Sequence, residues 1–230
     1  MSKKLVNTNS PLVLEGNLPS ADFQQSFNTG ETIQFDTPTI VLASNSPARA
    51  KMLDQAGIKF IKLLSNFDDA TLNDTYPHQN VSKRQEAKYA RTMALAKLEP
   101  FVGKVKNGAI ITADTTLLCQ GRILEKPITK EKCREQHEFI SGKTTYLYTA
   151  IAIYFNGKTL CKIQKIKVKI KPLPDHIIEE ICNEPETLNA AGFRRAGALK
   201  PYTIASNPET GGMCIPLVRK MLRKIGFSNG

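Results

Sequence analysis

Residues 42–49, Leu-Ala-Ser-Asn-Ser-Pro-Ala-Arg, combine hydroxyl side chains, a helix start and an arginine. An apolar run ends in Ser44, and Pro47 suits the first helical turn because its missing N–H would have no partner there. Unpaired N–H groups and the positive end of a helix dipole form a natural cradle for phosphate. Arg49 would add a forked donor to the same anion. The residues also suit an ordinary strand-to-helix turn capped by Ser46, and both interpretations stay open.

Carboxylates occupy two other loops or strand ends, which is where sites are usually built. Asp68 and Asp69 follow the second predicted strand, where adjacent carboxylates either hold a hard cation or form a plain solvated turn. Asp114 and Thr115 end an apolar strand. That arrangement suits a general base beside a bound phosphate, and it equally suits a turn cap.

Two lysines are candidates for neutralising phosphate charge. Lys126 lies between Glu125 and Pro127 in a loop, and Lys88 lies on a predicted helix. Lysines on helices are normally solvated, so Lys88 attracts attention only together with the other segments.

Alternating helical and strand patterns surround these groups. The predicted strands cover residues 39–43, 58–64, 109–113, 117–119, 123–124 and 145–155, and the last is joined by the hairpin signal Asn156-Gly157 to a lysine-bearing strand. The predicted helices cover residues 47–56, 82–98, 129–140 and 175–182, and a last helix is opened by Pro216. Ser82 and Gln85 form a capping box at the start of the second helix, and Asp175 caps the fourth. Interspersed helices and strands with a prominent hairpin indicate an α/β domain with a mixed sheet.

The chain divides into a polar N-terminal part and one domain. Residues 1–38 are predicted to form an N-terminal extension, partly disordered, with one short strand near Leu12–Leu14. Residues 39–230 are predicted to form a single domain with its own core. No stretch approaches the ~18 apolar residues of a membrane span and no signal peptide is recognisable, so we expect a cytoplasmic protein.

The charge is basic, with 32 Lys and Arg against 21 Asp and Glu, a formal net charge of +11. Such an excess suits nucleic acid, an anionic membrane or a small polyanion such as a nucleoside triphosphate. The charged stretches lack interleaved aromatic residues on which bases could stack. We therefore expect neither nucleic acid nor a membrane as partner.

Cysteine and histidine usage gives no sign of a metal centre. The five cysteines contain no C-x-x-C pair, and the three histidines lie far apart in the sequence. We expect neither a disulfide framework nor a zinc site, and we interpret the cysteines as small buried hydrophobic residues.

Several of these segments follow one another in a characteristic order. They are Leu-Ala-Ser-Asn-Ser-Pro-Ala-Arg at 42–49, Asp-Asp at 68–69, a helix containing Lys88, Ala-Asp-Thr at 113–115, Leu-Glu-Lys-Pro at 124–127, Ser-Gly-Lys-Thr at 141–144 and Cys-Ile-Pro-Leu at 214–217. In order and spacing the chain resembles the Maf family, the septum-formation-type nucleoside triphosphate pyrophosphatases, over roughly residues 39–227.

The resemblance implies an α/β fold with a mixed β-sheet and flanking helices, similar to Maf and inosine-triphosphatase proteins, with the nucleotide in a cleft. It implies a hydrolase acting on acid anhydrides, which cleaves a nucleoside triphosphate to monophosphate and pyrophosphate with a divalent cation, Mg or Mn. Asp114 would activate the attacking water, and Asp69 and Asp114 would hold the metal. The residues implied to bind substrate are Ser44, Arg49, Lys88, Thr115 and Lys126. The resemblance also implies a homodimer.

The chain departs from the family pattern at two positions. Ala48 stands where the family has the first of two arginines, a loss for which Arg194 or Arg195 could compensate. Ala196 stands where the family has a glutamine linked to base selection, whereas Thr115 fits the branch that prefers dTTP and UTP. The main interpretation is therefore a dTTP/UTP-type pyrophosphatase. The alternatives are a catalytically weak or inactive Maf-like nucleotide-binding protein, and a pyrophosphatase for modified nucleotides such as 7-methyl-GTP.

Overall fold

A computed structural model gives the structure of the chain, which describes residues 12–14, 24–27, 32–65, 76–188, 197–206 and 212–228. The strands are β1 Leu12–Leu14, β2 Gln24–Phe27, β3 Ile33–Leu42, β4 Ile61–Ser65, β5 Val105–Cys119, β6 Arg122–Leu124, β7 Thr144–Phe155, β8 Lys158–Ile170 and β9 Thr203–Ala205. The α-helices are α1 Pro47–Gln55, α2 Lys83–Leu98, α3 Lys130–Ile140, α4 Asp175–Asn183, α5 Pro185–Leu188 and α6 Ile215–Ile225. No helix in this described part of the chain has the length and apolar character of a membrane span.

The described strands form one mixed sheet of nine strands. Its main order is β2-β4-β3-β5-β7-β8-β9, with β1 added to β3 and β6 added to β5. Strand β3 runs parallel to β4 and β5, whereas β5, β7, β8 and β9 pair in antiparallel fashion. The predicted fold class, a mixed sheet with flanking helices, is confirmed.

The N-terminal part of the chain contributes strands to this sheet. The short strand predicted at Leu12–Leu14 is confirmed as β1, which pairs with the start of β3. Strand β3 begins at Ile33, six residues before the predicted Thr39, because Ile33 and Phe35 alternate into the core. The predicted boundary between residues 38 and 39 thus falls inside β3. Most of residues 1–31 lie outside the described residues, so their prediction as an extension stays a prediction.

Helices cover both faces of the sheet. Helix α2 packs on one face against alternate residues of β5 and β7, among them Ile110, Leu118 and Ala150. Helices α1 and α6 pack on the other face against Ala109, Ile111 and their neighbours. Because successive residues of a strand point to opposite faces, each residue of β5 is assigned to one of these two layers.

Local sequence signals explain where several elements begin. The predicted capping box is present at α2, where Ser82 Oγ accepts a hydrogen bond from the Gln85 backbone N–H at 3.3 Å and Gln85 Oε1 accepts one from the Ser82 backbone N–H at 2.9 Å. The predicted hairpin at Asn156-Gly157 joins β7 to β8 with positive φ at both turn residues. Helix α4 differs from its prediction, since Pro174 occupies the cap position and Asp175 lies in the first turn.

Candidate functional site

The turn after β3 is joined to the middle of β5 by Arg49. Its Nη1 donates to Ser44 Oγ at 3.0 Å, and its Nη2 donates to Thr115 Oγ1 at 3.3 Å. Thr115 Oγ1 in turn lies 3.1 Å from Thr149 Oγ1 on the neighbouring strand β7. Three residues predicted to bind substrate, Ser44, Arg49 and Thr115, are therefore in direct contact although 71 positions of sequence separate the first from the last.

Helix α1 begins without a side-chain cap. Ser46 occupies the cap position, but its side chain accepts no hydrogen bond from the helix. Instead, Ser44 Oγ accepts a bond from the Ser46 backbone N–H at 3.3 Å. The first turn contains no acidic residue that would offset the positive end of the helix dipole. Of the two interpretations left open by the sequence, the turn capped by Ser46 is not observed, and the features of an anion cradle are retained.

Asp114 forms a largely buried ion pair on the α2 side of the sheet. Lys97 Nζ lies 2.6 Å from Asp114 Oδ1, and the side chains of Lys97 and Asp114 are only 19% and 13% exposed. Helix α2 is held against β5 next to this pair, because Thr112 Oγ1 donates to the carbonyl oxygen of Ala94 at 2.7 Å. Lys97 is therefore the ion-pair partner of Asp114. Lys97 was not identified from the sequence.

The helical repeat contains the signal that distinguishes Lys97 from Lys88. Nine residues correspond to about two and a half helical turns, so the two lysines lie on opposite sides of α2. Lys97 follows the buried residues Met93 and Ala94 by four and three positions, which places it on the packed side, whereas Lys88 is exposed. A comparison of each lysine with the apolar stripe of the helix would have favoured Lys97.

The other predicted site residues stand apart from this contact group. Lys126 is exposed in the loop after β6, and no hydrogen bond or ion pair joins Lys88 or Lys126 to another residue that the structure describes. Asp69, predicted to hold a metal, lies outside the described residues, as do Arg194 and Arg195. Their predicted roles stay predictions.

Asp114 and Thr115 are neighbours in sequence but point to opposite faces of the sheet. Strand β3 pairs with β5 only as far as Ile111, and β6 pairs with β5 from Leu117 onward. On this side, no described strand pairs with residues 112–116 of β5. The stretch of β5 that carries Asp114 on one face and Thr115 on the other is therefore unpaired along this edge.

A second carboxyl group, Glu86, lies buried on the same face as Asp114. It is on α2 and its side chain is inaccessible to solvent. Burial raises the pKa of Glu86 from 4.5 to about 7, and the nearby Asp114 carboxylate raises this pKa further, while the Thr116 hydroxyl and His78 oppose the shift. Sequence reasoning missed Glu86, although a glutamate three residues before the buried Tyr89 on the apolar stripe was the available signal.

Replacement of Glu86 by Gln is expected to make stability less dependent on pH. The folded protein holds the Glu86 proton up to about pH 7, whereas the unfolded chain releases it near pH 4.5, so the wild type loses stability as the pH rises between these values. The shift in pKa from 4.5 to about 7 corresponds to at most about 3 kcal/mol. Urea unfolding should show the variant gaining clearly more stability over the wild type at pH 8 than at pH 5. Glu180→Gln, at an exposed position of α4, is the matched control, and a gain of equal size at both pH values would contradict the assignment.

The mixed sheet and the contacts of Arg49 together define an α/β protein in which a helix-opening turn is joined to the middle strand of the sheet. The family model described as "Maf-like protein" matches residues 39–206, and the chain belongs to this family. It is similar to the dTTP/UTP pyrophosphatase of Neisseria meningitidis serogroup B, with 32% identity over 193 residues that cover 82% of this chain and 95% of the relative. It is also similar to the nucleoside triphosphate pyrophosphatase of Trichodesmium erythraeum, with 28% identity over 196 residues, 83% of this chain and 96% of the relative.

Among solved structures, the chain shows a slight likeness to a HAM1 protein from Coxiella burnetii. That match covers 59% of this chain and 74% of the other at 17% identity, with a TM-score of 0.31. The likeness is too small to support a conclusion.

Proposed function

We propose that this protein is a nucleoside triphosphate pyrophosphatase that cleaves its substrate to a monophosphate and pyrophosphate. The observation that carries the proposal is the contact of Arg49 with both Ser44 and Thr115, the residue that follows Asp114 on β5. The candidate phosphate-binding turn is thereby joined to the segment of β5 that carries the candidate proton acceptor. The names of the family relatives support the same activity.

Each residue of the site has a chemical task in this reaction. Attack of water at phosphorus mainly requires neutralisation of phosphate charge and a positioned nucleophile. Arg49 and the uncapped start of α1 bind phosphate oxygens, and the hydroxyls of Ser44 and Thr115 orient the guanidinium. Asp114 accepts the proton of the attacking water, and Lys97 holds the carboxylate in position.

A divalent cation fits the residues that are present. Mg²⁺ is usually bound through one or two carboxylates together with substrate phosphates, and Asp114 supplies a carboxylate next to Thr115 in the sequence of β5. Asp69 is proposed as the second protein ligand on the family resemblance alone. When bound, Mg²⁺ or Mn²⁺ supplies positive charge to the phosphate oxygens.

The proposed substrates are dTTP and UTP. Support comes from the name of the Neisseria meningitidis relative and from Thr115, which fits the dTTP/UTP branch of the family and contacts Arg49 in this structure. The cytoplasmic location and the homodimer expected from the sequence stay predictions.

A substrate screen tests the proposal. The purified chain is incubated with dTTP, UTP, the other canonical triphosphates and 7-methyl-GTP, with Mg²⁺ or Mn²⁺, and pyrophosphate release is measured. We expect the highest kcat/KM with dTTP or UTP. Turnover confined to 7-methyl-GTP would replace the proposed substrate class. Nucleotide binding without any turnover would identify an inactive nucleotide-binding member of the family.

Replacement of Lys126 by Ala is expected to lower kcat/KM, because the variant lacks the proposed contact with a substrate phosphate. Folding should be unaffected, because the side chain is exposed. A hydrogen bond to a charged group contributes about 1.5–3 kcal/mol, which corresponds to a loss of about tenfold to a hundredfold. Kinetics of pyrophosphate release measure the effect. Lys158→Ala, at the exposed start of β8, removes the same charge far from the proposed site and is the matched control. An unchanged kcat/KM in Lys126→Ala would exclude a phosphate-binding role for this lysine.

A further inference from the structure

Two cysteines and a histidine meet in the core, away from the site described above. Cys133 and His137 lie one helical turn apart on α3, and Cys182 lies on α4. One side-chain ligand atom from each residue lies within 4.8 Å of the other two, and all three residues are buried. Comparison of the histidines only with one another along the sequence missed this cluster, because folding brings Cys182 to the i,i+4 pair Cys133 and His137 on α3.

The histidine of this cluster has one nitrogen in use and one without a partner. Nδ1 of His137 lies 2.8 Å from the carbonyl oxygen of Cys133, to which it donates its proton, and 3.4 Å from the Cys133 sulfur. Nε2 is fully buried and has no hydrogen-bond partner among the described residues. Metal-binding histidines commonly donate one N–H to a carbonyl and use the other nitrogen as ligand.

The charge of two cysteine thiolates favours a divalent over a monovalent metal ion. Two thiolates and a divalent cation are neutral together, whereas two thiolates and a monovalent cation leave a net negative charge in the core, which is costly. Thiolate and imidazole ligands in approximately tetrahedral arrangement are typical of Zn²⁺.

We propose that Cys133, His137 and Cys182 bind one Zn²⁺ ion per chain. Binding replaces the two thiol protons, which are released to solvent, so the net charge of the cluster does not change. Three protein ligands leave one tetrahedral position, which a water oxygen fills. The ion connects α3 to α4, a connection that is independent of the proposed hydrolytic activity.

The zinc site is linked to the loop that carries Lys126. Gln136, next to His137 on α3, donates from Nε2 to the carbonyl oxygen of Glu125 at 3.2 Å. Helix α3 also begins at Thr129, directly after this loop. Zinc at the cluster therefore stabilises α3, and Gln136 of α3 holds the loop that carries Lys126.

The test uses the full chain, freed of metal by a chelator and kept reduced with a phosphine. Titration with Co²⁺ is followed by the thiolate-to-cobalt charge-transfer absorption, and Zn²⁺ is then added to displace Co²⁺. Elemental analysis gives zinc per chain, and thermal unfolding is measured with and without Zn²⁺. We expect one Zn²⁺ per chain, a charge-transfer band, and an increase in Tm on zinc binding.

Variants assign the binding to the cluster. The double variant Cys133→Ala/Cys182→Ala is expected to lose the charge-transfer band and the Tm increase. Cys119→Ala, which removes another fully buried thiol from the same apolar layer, should retain both. His137→Gln, which keeps both thiols, should weaken Co²⁺ binding by at least about tenfold and alter the spectrum. Absence of the band in the wild type, or equal zinc binding by the wild type and the double variant, would overturn the proposal.

Discussion

Replacement of Asp114 by Asn is expected to lower kcat by about 10²- to 10⁴-fold, the usual contribution of a general base. Asn has nearly the same size and keeps an oxygen near Lys97, but it cannot accept the proton of the attacking water. The position of Asp114 beside Thr115, which is bonded to Arg49, is the reason to expect a loss in turnover. Steady-state kinetics of pyrophosphate release measure the change.

Folding must be separated from chemistry in this variant, because Lys97 loses the carboxylate it lies against at 2.6 Å. Circular dichroism at the assay temperature shows whether the variant is folded. Asp54→Asn makes the same chemical change at an exposed position of α1 and should retain full activity. A folded Asp114→Asn protein with wild-type kcat would show that another group accepts the proton.

Replacement of Lys97 by Ala is expected to reduce kcat/KM by about 10²-fold, whereas Lys88→Ala should leave it within about twofold. The reason is positional, since a misplacement of about 1 Å in a catalytic group can cost about 10²-fold. Lys97 is paired with Asp114 in a largely buried contact, while Lys88 lies on the exposed side of the same helix. The two variants therefore remove the same charge from the same helix and differ only in the side of α2.

Stability provides a second measurement for this pair. Breaking a buried ion pair costs about 3–5 kcal/mol, so urea unfolding should show a clear loss for Lys97→Ala and almost none for Lys88→Ala. Lys97→Arg keeps the positive charge and should recover part of both properties. Equal losses of activity in the two alanine variants would support the predicted phosphate role of Lys88 and remove the special role of Lys97.

Local patterns predicted the parts of the fold that depend on neighbouring residues. The start of α2 at Ser82 and the turn at Asn156-Gly157 were correct because a capping box and a two-residue turn act within a few positions of sequence. The start of β3 was placed too late because Ile33 and Phe35 are separated from the main apolar run by polar residues. Their burial depends on pairing with distant strands, which a local pattern does not contain.

The candidate site, like the fold, has features that local sequence predicts and features that only the tertiary structure shows. The order and spacing of the 42–49 turn and of Asp114-Thr115 along the sequence were enough to identify the family, because such motifs are local to the chain. Only the tertiary structure decided that Lys97 rather than Lys88 faces Asp114, that Glu86 is buried beside it, and that Cys182 meets Cys133 and His137. These contacts depend on how helices rotate and pack against a sheet assembled from distant segments, and no spacing along the chain encodes that rotation directly.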